Sequence, residues 1–496
     1  MLKRSVKGLC LIVAISLMSY VLVACGQNTK EGDILNTGSK EKSISVLFTK
    51  GGFEIPPGAN DTIKPEIEKG SGVKFTQIAP PVANYIEKVN AILASNDLPD
   101  VVKLPAFTDL FNYADQGALM PLDDLLAKYG KDILAAIPKN VLDQCKIDGK
   151  TYGIPIWTSQ HRYNFIIRGD WLKKLNLQEP KTLDDLYKVY KAFTEQDPDG
   201  NGKKDTYGLG GSGLETFDTI FGAFGLTAMD KVYWYEDNGK LLPMVLHPNM
   251  KKALEYAAKL QAEGLVDPEW VTTTTEAQLN EKAMKSQFGS TNRWWTWEPK
   301  VEQEMRKVDP NVEFRRIAPP IGPDGLSGVR GVPAVNTVIA VMKNAKDPQA
   351  CMEWLNYLHT EKGMMTQYSG VEGLHWEKKS DGTYVTLPQF QVDAKWIQWY
   401  SLFENEQPLL KVETYLVQSR RDSLKWPIIV DAGDGLITKA FTKYSADLIT
   451  LQKDEFTKII SGKAGISEYD NFVTQWKQNG GNEWIDEINQ MYKAKK

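Results

Sequence analysis

"SGVKFTQIAPPVANYIEKVNAILASNDLPDVVKL", Ser71 to Leu104, decides the fold class. Val73, Phe75 and Ile78 mark an apolar strand, and Tyr85, Val89, Ile92 and Leu93 then recur at helical spacing. The helix runs out at "SNDLPD", and the chain resumes as the apolar strand "VVKL". Strand, helix and strand at this spacing predict a βαβ unit and a mainly parallel sheet, hence an α/β fold. Upstream, "KSISVLFTKGG" alternates Ile44, Val46 and Phe48 as a first strand, and "NDTIKPEIEKG" is a short helical link.

Downstream the same reading continues. "TDLFNYADQGALMPLDDLLAKYG" predicts two short helices divided by Gly117 and Pro121. "PKTLDDLYKVYKAFTEQ" predicts a helix with Thr182 as N-cap and Asp185 three residues on. Its buried stripe is Leu183, Leu186, Tyr187, Tyr190 and Phe193. From Gly331 the chain reads as strand, turn and a helix burying Met352, Leu355 and Leu358, and the last third is largely helical. There is no internal repeat.

The ends set the compartment. "MLKRSVKGLCLIVAISLMSYVLVACG" has a basic start, an apolar run and a small-residue end, the pattern of a secretory signal. Leu22-Val23-Ala24-Cys25-Gly26 resembles the lipobox of bacterial lipoproteins, which implies cleavage before Cys25 and its acylation, palmitate included. The alternative is an uncleaved transmembrane anchor. Residues 1–25 are thus the expected leader and 26–42, polar and Gly/Ser/Thr/Lys-rich, a flexible tether. About 470 residues remain, enough for two or three domains. A net charge of −4 provides no electrostatic case for nucleic acid. No later stretch reaches the ~20 apolar residues of a bilayer span. Cys145 and Cys351 are the only cysteines beyond Cys25, so two buried thiols are expected rather than a disulfide framework. Four scattered histidines argue against zinc.

"DPDGNGKKD", Asp197 to Asp205, has the spacing of a calcium loop. Alternate side chains bring oxygens onto a hard cation: Asp197, Asp199 and Asn201, then the Lys203 carbonyl and Asp205, with Gly202 at the sharp turn. The twelfth position is Gly208 rather than a bidentate Glu, so the loop is partial. The competing reading is an Asp/Asn/Gly-rich turn without metal. No histidine or nucleophile lies nearby, and a bound Ca2+ is expected to be structural.

Together the lipobox, "YIEKVNAILASNDLPDVV", "DGKTYGIP", "IIRGDWLKKLNLQEPKTLDDLYKVYKAF" leading into "DPDGNGKKDTYGL", "GVEGLHW" and the C-terminal "FTKIISGKAGISEYDNFVTQWKQNGGNEWIDEINQMY" carry a resemblance. They resemble extracellular solute-binding proteins (family 1) of carbohydrate ABC importers, in the large lipoprotein subgroup of Gram-positive bacteria. The resemblance covers nearly the whole chain after the leader. It implies a two-lobe, type II periplasmic-binding-protein-like fold with ligand held in a hinged cleft. The lobes would comprise 43–156 with 331–372, and 157–330 with 373–496, the second carrying the calcium loop 197–205. It further implies a monomer, lipid-anchored on the extracellular face of the membrane, that delivers an oligosaccharide to permease subunits and is not an enzyme.

A sugar offers apolar C–H faces and a rim of hydroxyls, so its site needs aromatic platforms beside polar groups. "WTSQHRY" offers Trp157, Gln160 and Arg162. "STNRWWTWEP" offers Asn292, Arg293, Trp294 and Trp295, and "GVEGLHWE" offers Glu372, His375 and Trp376. "WIQWY" adds Trp399, although Trp396 and Trp399, three apart, would also suit one packed helical face. Adjacent Trp294 and Trp295 cannot share a direction, so one of them is expected in the cleft. Trp171, Trp354 and Trp484 sit at core positions of helices. Arg293 and Arg330 are of the type that recognises a uronate carboxylate, or else are solvated. Two rival functions stay open on sequence. One is a solute-binding protein for a peptide or other non-sugar cargo. The other is a surface glycoside hydrolase using carboxylates such as Glu298, Glu372 and Glu377.

Overall fold

A computed structural model describes residues 41–48, 61–80, 85–95, 98–227, 231–403 and 415–495. The leader, Cys25 and all but the last two residues of the expected tether lie outside them. Among the described residues no helix is long and apolar enough to cross a membrane.

The deciding stretch builds one end of a five-stranded sheet. Strand Ser43–Leu47 pairs in parallel with Lys74–Ile78 on one side and Val101–Lys103 on the other. Helices Ile63–Ser71 and Tyr85–Leu93 make the crossovers. The first of these stops at Gly72, whose φ of 70° lets its N–H turn back to the Glu68 carbonyl at 2.9 Å. Tyr85 Oη holds the second helix to the sheet by donating to the Lys103 carbonyl at 2.7 Å. The sheet then becomes mixed. Val335–Val341 runs antiparallel to both Val101–Lys103 and Ile154–Trp157. This central strand arrives from a distant part of the chain, so no local crossover constrains its direction.

Among the described residues two large hydrophobic cores form, beside two smaller clusters. The first gathers residues between 44 and 156 and between 335 and 403 around the five-stranded sheet. Helix Pro348–Leu358, capped by Asp347 through the Ala350 N–H, buries Met352, Trp354, Leu355 and Leu358 there. Cys145 and Cys351 are free thiols in the same core, and burial pushes both thiol pKa values up. The second core gathers residues between 165 and 317 and between 436 and 488. It is built on an antiparallel sheet in the order Ser290–Trp294, Tyr163–Arg168, Phe314–Ile317. Helix Leu183–Glu195 starts at a reciprocal cap between Thr182 and Asp185 and buries Leu183, Leu186, Val189, Tyr190 and Phe193. Tyr187 is half-exposed and donates to Glu263 at 2.6 Å. Helices Lys439–Ile460, Glu468–Trp476 and Asn482–Lys495 complete this half.

The expected division at residue 372 is not where the cores part. Helix Gln389–Tyr400 packs Trp396, Ile397, Trp399 and Tyr400 into the first core. Tyr400 meets Phe75 edge-on at 6.0 Å and donates to Asp61 at 2.6 Å. Four large side chains on one helix face find their apolar partner there, and the second core takes up again at Leu436.

Three segments run side by side between the cores. Thr158 N–H donates to the Ala334 carbonyl (3.1 Å) and Val332 N–H to the Gln160 carbonyl (3.0 Å). Val329–Arg330 pairs in parallel with Ile428–Ile429, and Ala334 N–H donates to Asp434 at 2.9 Å. At Gly331 a Cβ would stand 2.9 Å from the Ile429 carbonyl, so this close approach requires glycine.

Candidate functional site

A cavity of about 550 Å3 opens where these segments cross, lined among others by Thr158, Arg162, Tyr163, Glu215, Trp294 and Arg330. Strand register assembles it. Tyr163 opens its strand and pairs with Trp294 at the end of the neighbouring antiparallel strand. Directly paired residues project to the same face, so the two rings meet with centroids 5.2 Å apart. Trp294 is 39% exposed, an indole face open to the cavity. The Arg162 guanidinium lies 5.5 Å over that indole, and that of Arg330 lies 4.4 Å over the Tyr163 ring.

Behind this row is a charge network. Glu215, in the short turn Gly213–Phe217, accepts from Arg330 at 2.8 Å with one oxygen and from Arg293 at 3.3 Å with the other. Arg330 also donates to the Tyr163 hydroxyl and lies 3.4 Å from the buried Asp218. Burial raises the Tyr163 pKa, keeping it a protonated phenol. Burial likewise lowers the Arg293 pKa, with Glu215 opposing the shift. Lys231, also in the lining, rests 4.4 Å over Tyr233 and pairs with Asp431 at 3.3 Å.

The sequence-predicted residues separate into three groups. Arg162 and Trp294 line the cavity, and Arg293 braces it through Glu215. Asn292 is buried in the same strand, and among the described residues neither of its amide atoms has a partner. Trp295 is half-buried and sits 5.9 Å from the Arg420 guanidinium, and its backbone N–H donates to the Arg162 carbonyl at 3.0 Å. Trp157 is half-buried against the first core, and Gln160 is half-buried beside Val332.

The remaining four lie elsewhere. Trp399 is a core residue whose Nε1 donates to Gln77 at 2.8 Å. His375 is fully buried: its Nδ1 accepts the Val371 N–H (2.8 Å), so Nε2 carries the proton that goes to Asp393 (2.9 Å). It clamps a turn. Trp376 is 7% exposed, donates to the Gly370 carbonyl at 2.9 Å and packs on Tyr384. With exposed Glu372 it borders a separate groove on the first core. Glu372, His375 and Trp376 were expected in the cleft at a crossing near "GVEGLHW", and the chain stays with the first core there, whereas Trp399 follows the packed helical face that was its alternative. Glu298 is buried and paired with Arg316 at 2.5 Å.

Sequence reasoning missed Tyr163, Glu215, Lys231 and Tyr233. Tyr163 had a signal, the first position of an apolar strand beside Arg162. Glu215, in "GSGLETF", had none.

The loop 197–205 is closed by hydrogen bonds to its own carboxylates. Asp197 accepts the N–H groups of Gly200, Asn201 and Gly202 at 3.0–3.1 Å. The Asn201 amide nitrogen stands between Asp199 (2.8 Å) and Asp205 (3.1 Å). Burial, then the neighbouring carboxylates, push the Asp199 pKa up. Among the described residues no group of three or more His, Cys, Asp or Glu is disposed as metal ligands. The donor set nevertheless suits a hard cation. The Asn201 amide oxygen in turn accepts the Lys203 N–H at 2.7 Å, and the oxygens of the loop are of the type a hard cation takes.

Residues 57–365 match the family described as bacterial extracellular solute-binding protein. The lipoprotein LipO of Bacillus subtilis (strain 168) is 26% identical over 98% of both chains. The polygalacturonan/rhamnogalacturonan-binding protein YtcQ of the same strain is also 26% identical over 98% of both. In fold, the chain is similar to the Streptococcus pneumoniae ABC-transporter substrate-binding protein FusA, solved in complex with kestose. The TM-score is 0.70 at 21% identity, covering 91% of this chain and 99% of that one. An EF-hand mutant of FusA with fructo-nystose superposes with a TM-score of 0.69 at 20% identity, with the same coverage.

Proposed function

The chain belongs to the bacterial extracellular solute-binding protein family, and from that premise we propose that it captures an oligosaccharide for an ABC importer. The observation that carries this reading is the half-open Trp294 face, set among Arg162, Tyr163, Arg330 and Glu215 in a cavity at the crossing of three segments. An indole face takes the C–H side of a sugar ring, and the surrounding charged groups answer its hydroxyls. The crossing segments act as the hinge between two lobes, one around each core. Closure around ligand selects one member of an open and closed pair, which the permease subunits then read. The relatives' sugar ligands and the EF-hand of FusA support this reading.

Two accessory features complete it. Asp197, Asp199, Asn201, the Lys203 carbonyl and Asp205 hold a structural Ca2+ that fastens the end of helix Leu183–Glu195. Acylated Cys25 anchors the protein to the extracellular face of the membrane through a flexible tether.

Thermal denaturation across a panel of oligosaccharides and peptides tests the central claim. A sugar at a hundred times its Kd should add about 2.7 kcal/mol of stability and be recovered uncleaved. Stabilisation by peptides with none by sugars would overturn it.

A further inference from the structure

The first core meets the cavity through the central strand of its sheet. Val335–Val341 is buried at every position but one, Asn336, which is exposed and lines the cavity. A bulge accounts for the exception. Val335 pairs with Trp157 and Thr337 with Ile156, so two steps on this strand face one on its partner, and Asn336 is the extra residue. Such a bulge takes a side chain out of the alternation of its strand and re-aims it. Both neighbours are anchored. Val335 packs in the first core, and the Thr337 hydroxyl donates to the Leu104 carbonyl at 2.6 Å. The backbone that carries Asn336 is thereby held on either side.

Its amide differs from the charged and phenolic groups around it. Arg162 lies over Trp294, Tyr163 and Glu215 are bonded to Arg330, and Lys231 is paired with Asp431. Among the described residues no hydrogen bond or ion pair engages the Asn336 side chain. An amide sets one acceptor oxygen and one donor nitrogen side by side, without charge. Two hydroxyls on adjacent carbons of a sugar ring match it, one donating to Oδ1 and the other accepting from Nδ2. A carboxylate meets only half of that pair, since it has no proton for the oxygen. Trp294 enters the same cavity from the antiparallel sheet of the second core.

Resting on the oligosaccharide reading above, we propose that Asn336 is the residue by which the first core reads the ligand. It grips two adjacent free hydroxyls of the ring that Trp294 carries, and so selects sugars with a neutral vicinal diol at that position. A ligand held by Trp294 on one side and Asn336 on the other is bonded to both lobes, which stabilises the closed member of the pair.

Titration calorimetry on the purified full-length protein in detergent tests this, with kestose, maltotriose, mannotriose and trigalacturonate as probes. Asn336→Leu, close in size, and Asn336→Ala, smaller, should each raise the Kd of the tightest-binding probe about tenfold, the loss of two neutral hydrogen bonds. Without sugar both variants should melt as the parent does, because the side chain is exposed and bonded to nothing described in the fold. Since one ring is held by both residues, Trp294→Ala combined with Asn336→Leu should weaken binding by less than the product of the single losses. Affinities of both Asn336 variants within about twofold of the parent's would overturn the role of Asn336 and leave the oligosaccharide reading standing. Weakening by Asn336→Leu alone would mark crowding rather than lost hydrogen bonds and overturn it as well. Losses that multiply in full would overturn the shared ring. Binding of no probe by the parent would overturn the oligosaccharide reading, and the role of Asn336 with it.

Discussion

Trp294→Ala isolates the aromatic platform. A tryptophan side chain has at most about 250 Å2 of surface, and 39% of Trp294 is exposed, so roughly 100 Å2 meets the cavity. One sugar ring on one face would cover about half. At ~25 cal/mol per Å2 that is about 1.2 kcal/mol, and covering all of it about 2.5 kcal/mol. The dissociation constant of a bound oligosaccharide should therefore rise between about 8-fold and 60-fold. Trp376→Ala is the contrasting variant. Trp376 is 7% exposed, packed on Tyr384 and hydrogen-bonded to Gly370, outside the cavity. Its truncation should cost about 3–5 kcal/mol of stability, with the affinity of the folded protein unchanged. Calorimetric titration and thermal melts of both variants separate the two effects. The assignment fails if Trp294→Ala binds as the parent does, or if Trp376→Ala weakens binding while melting normally.

Three further outcomes are expected. His359 is buried, its Nδ1–H donating to the Leu355 carbonyl at 2.8 Å and its ring 4.2 Å from Phe403. Burial lowers its pKa from 6.5 to about 4. The unfolded chain thus takes up the proton first, and stability present above pH 6.5 should decline by about 3 kcal/mol toward pH 4. Denaturant midpoints at pH 7, 5.5 and 4 should show a shallower decline for His359→Gln; an identical slope would exonerate His359. Chelation of calcium should lower the parent's melting temperature and leave Asp199→Ala, already lowered, unaffected, whereas a parent melt indifferent to chelator would retire the calcium site. Cys25→Ala should shift the protein from the membrane fraction to the medium, and continued membrane retention would point to an uncleaved anchor.

Local patterns in the chain carried much of the architecture. Apolar spacing between Ser71 and Leu104 marks two parallel strands and the helix Tyr85–Leu93 between them. Thr182 and Asp185 announce the helix whose cap they form. Each signal is read within a few residues, because helix and strand periodicity and capping are short-range effects. The spacing of loop 197–205 was equally visible, whereas the disposition of its amide and carboxylates was not.

The site was another matter. Sequence alone determined that Trp294 and Trp295 point apart, since neighbours on a strand alternate. Only the tertiary structure decided which one faces the cavity, through the register that pairs Trp294 with Tyr163. The same holds for the tryptophans beyond residue 372. Trp376 and Trp399 are aromatic in sequence, but the first is turned onto Tyr384 and the second packed into the core that contains Phe75. Composition and spacing establish that aromatic and charged groups are present. The directions of Trp294 and Trp399 follow from contacts with residues a hundred or more positions away, that of Trp376 from a local hairpin, and all three from where the chain crosses between its two cores. A cleft is made of side-chain directions, and these are settled only when distant strands come into register.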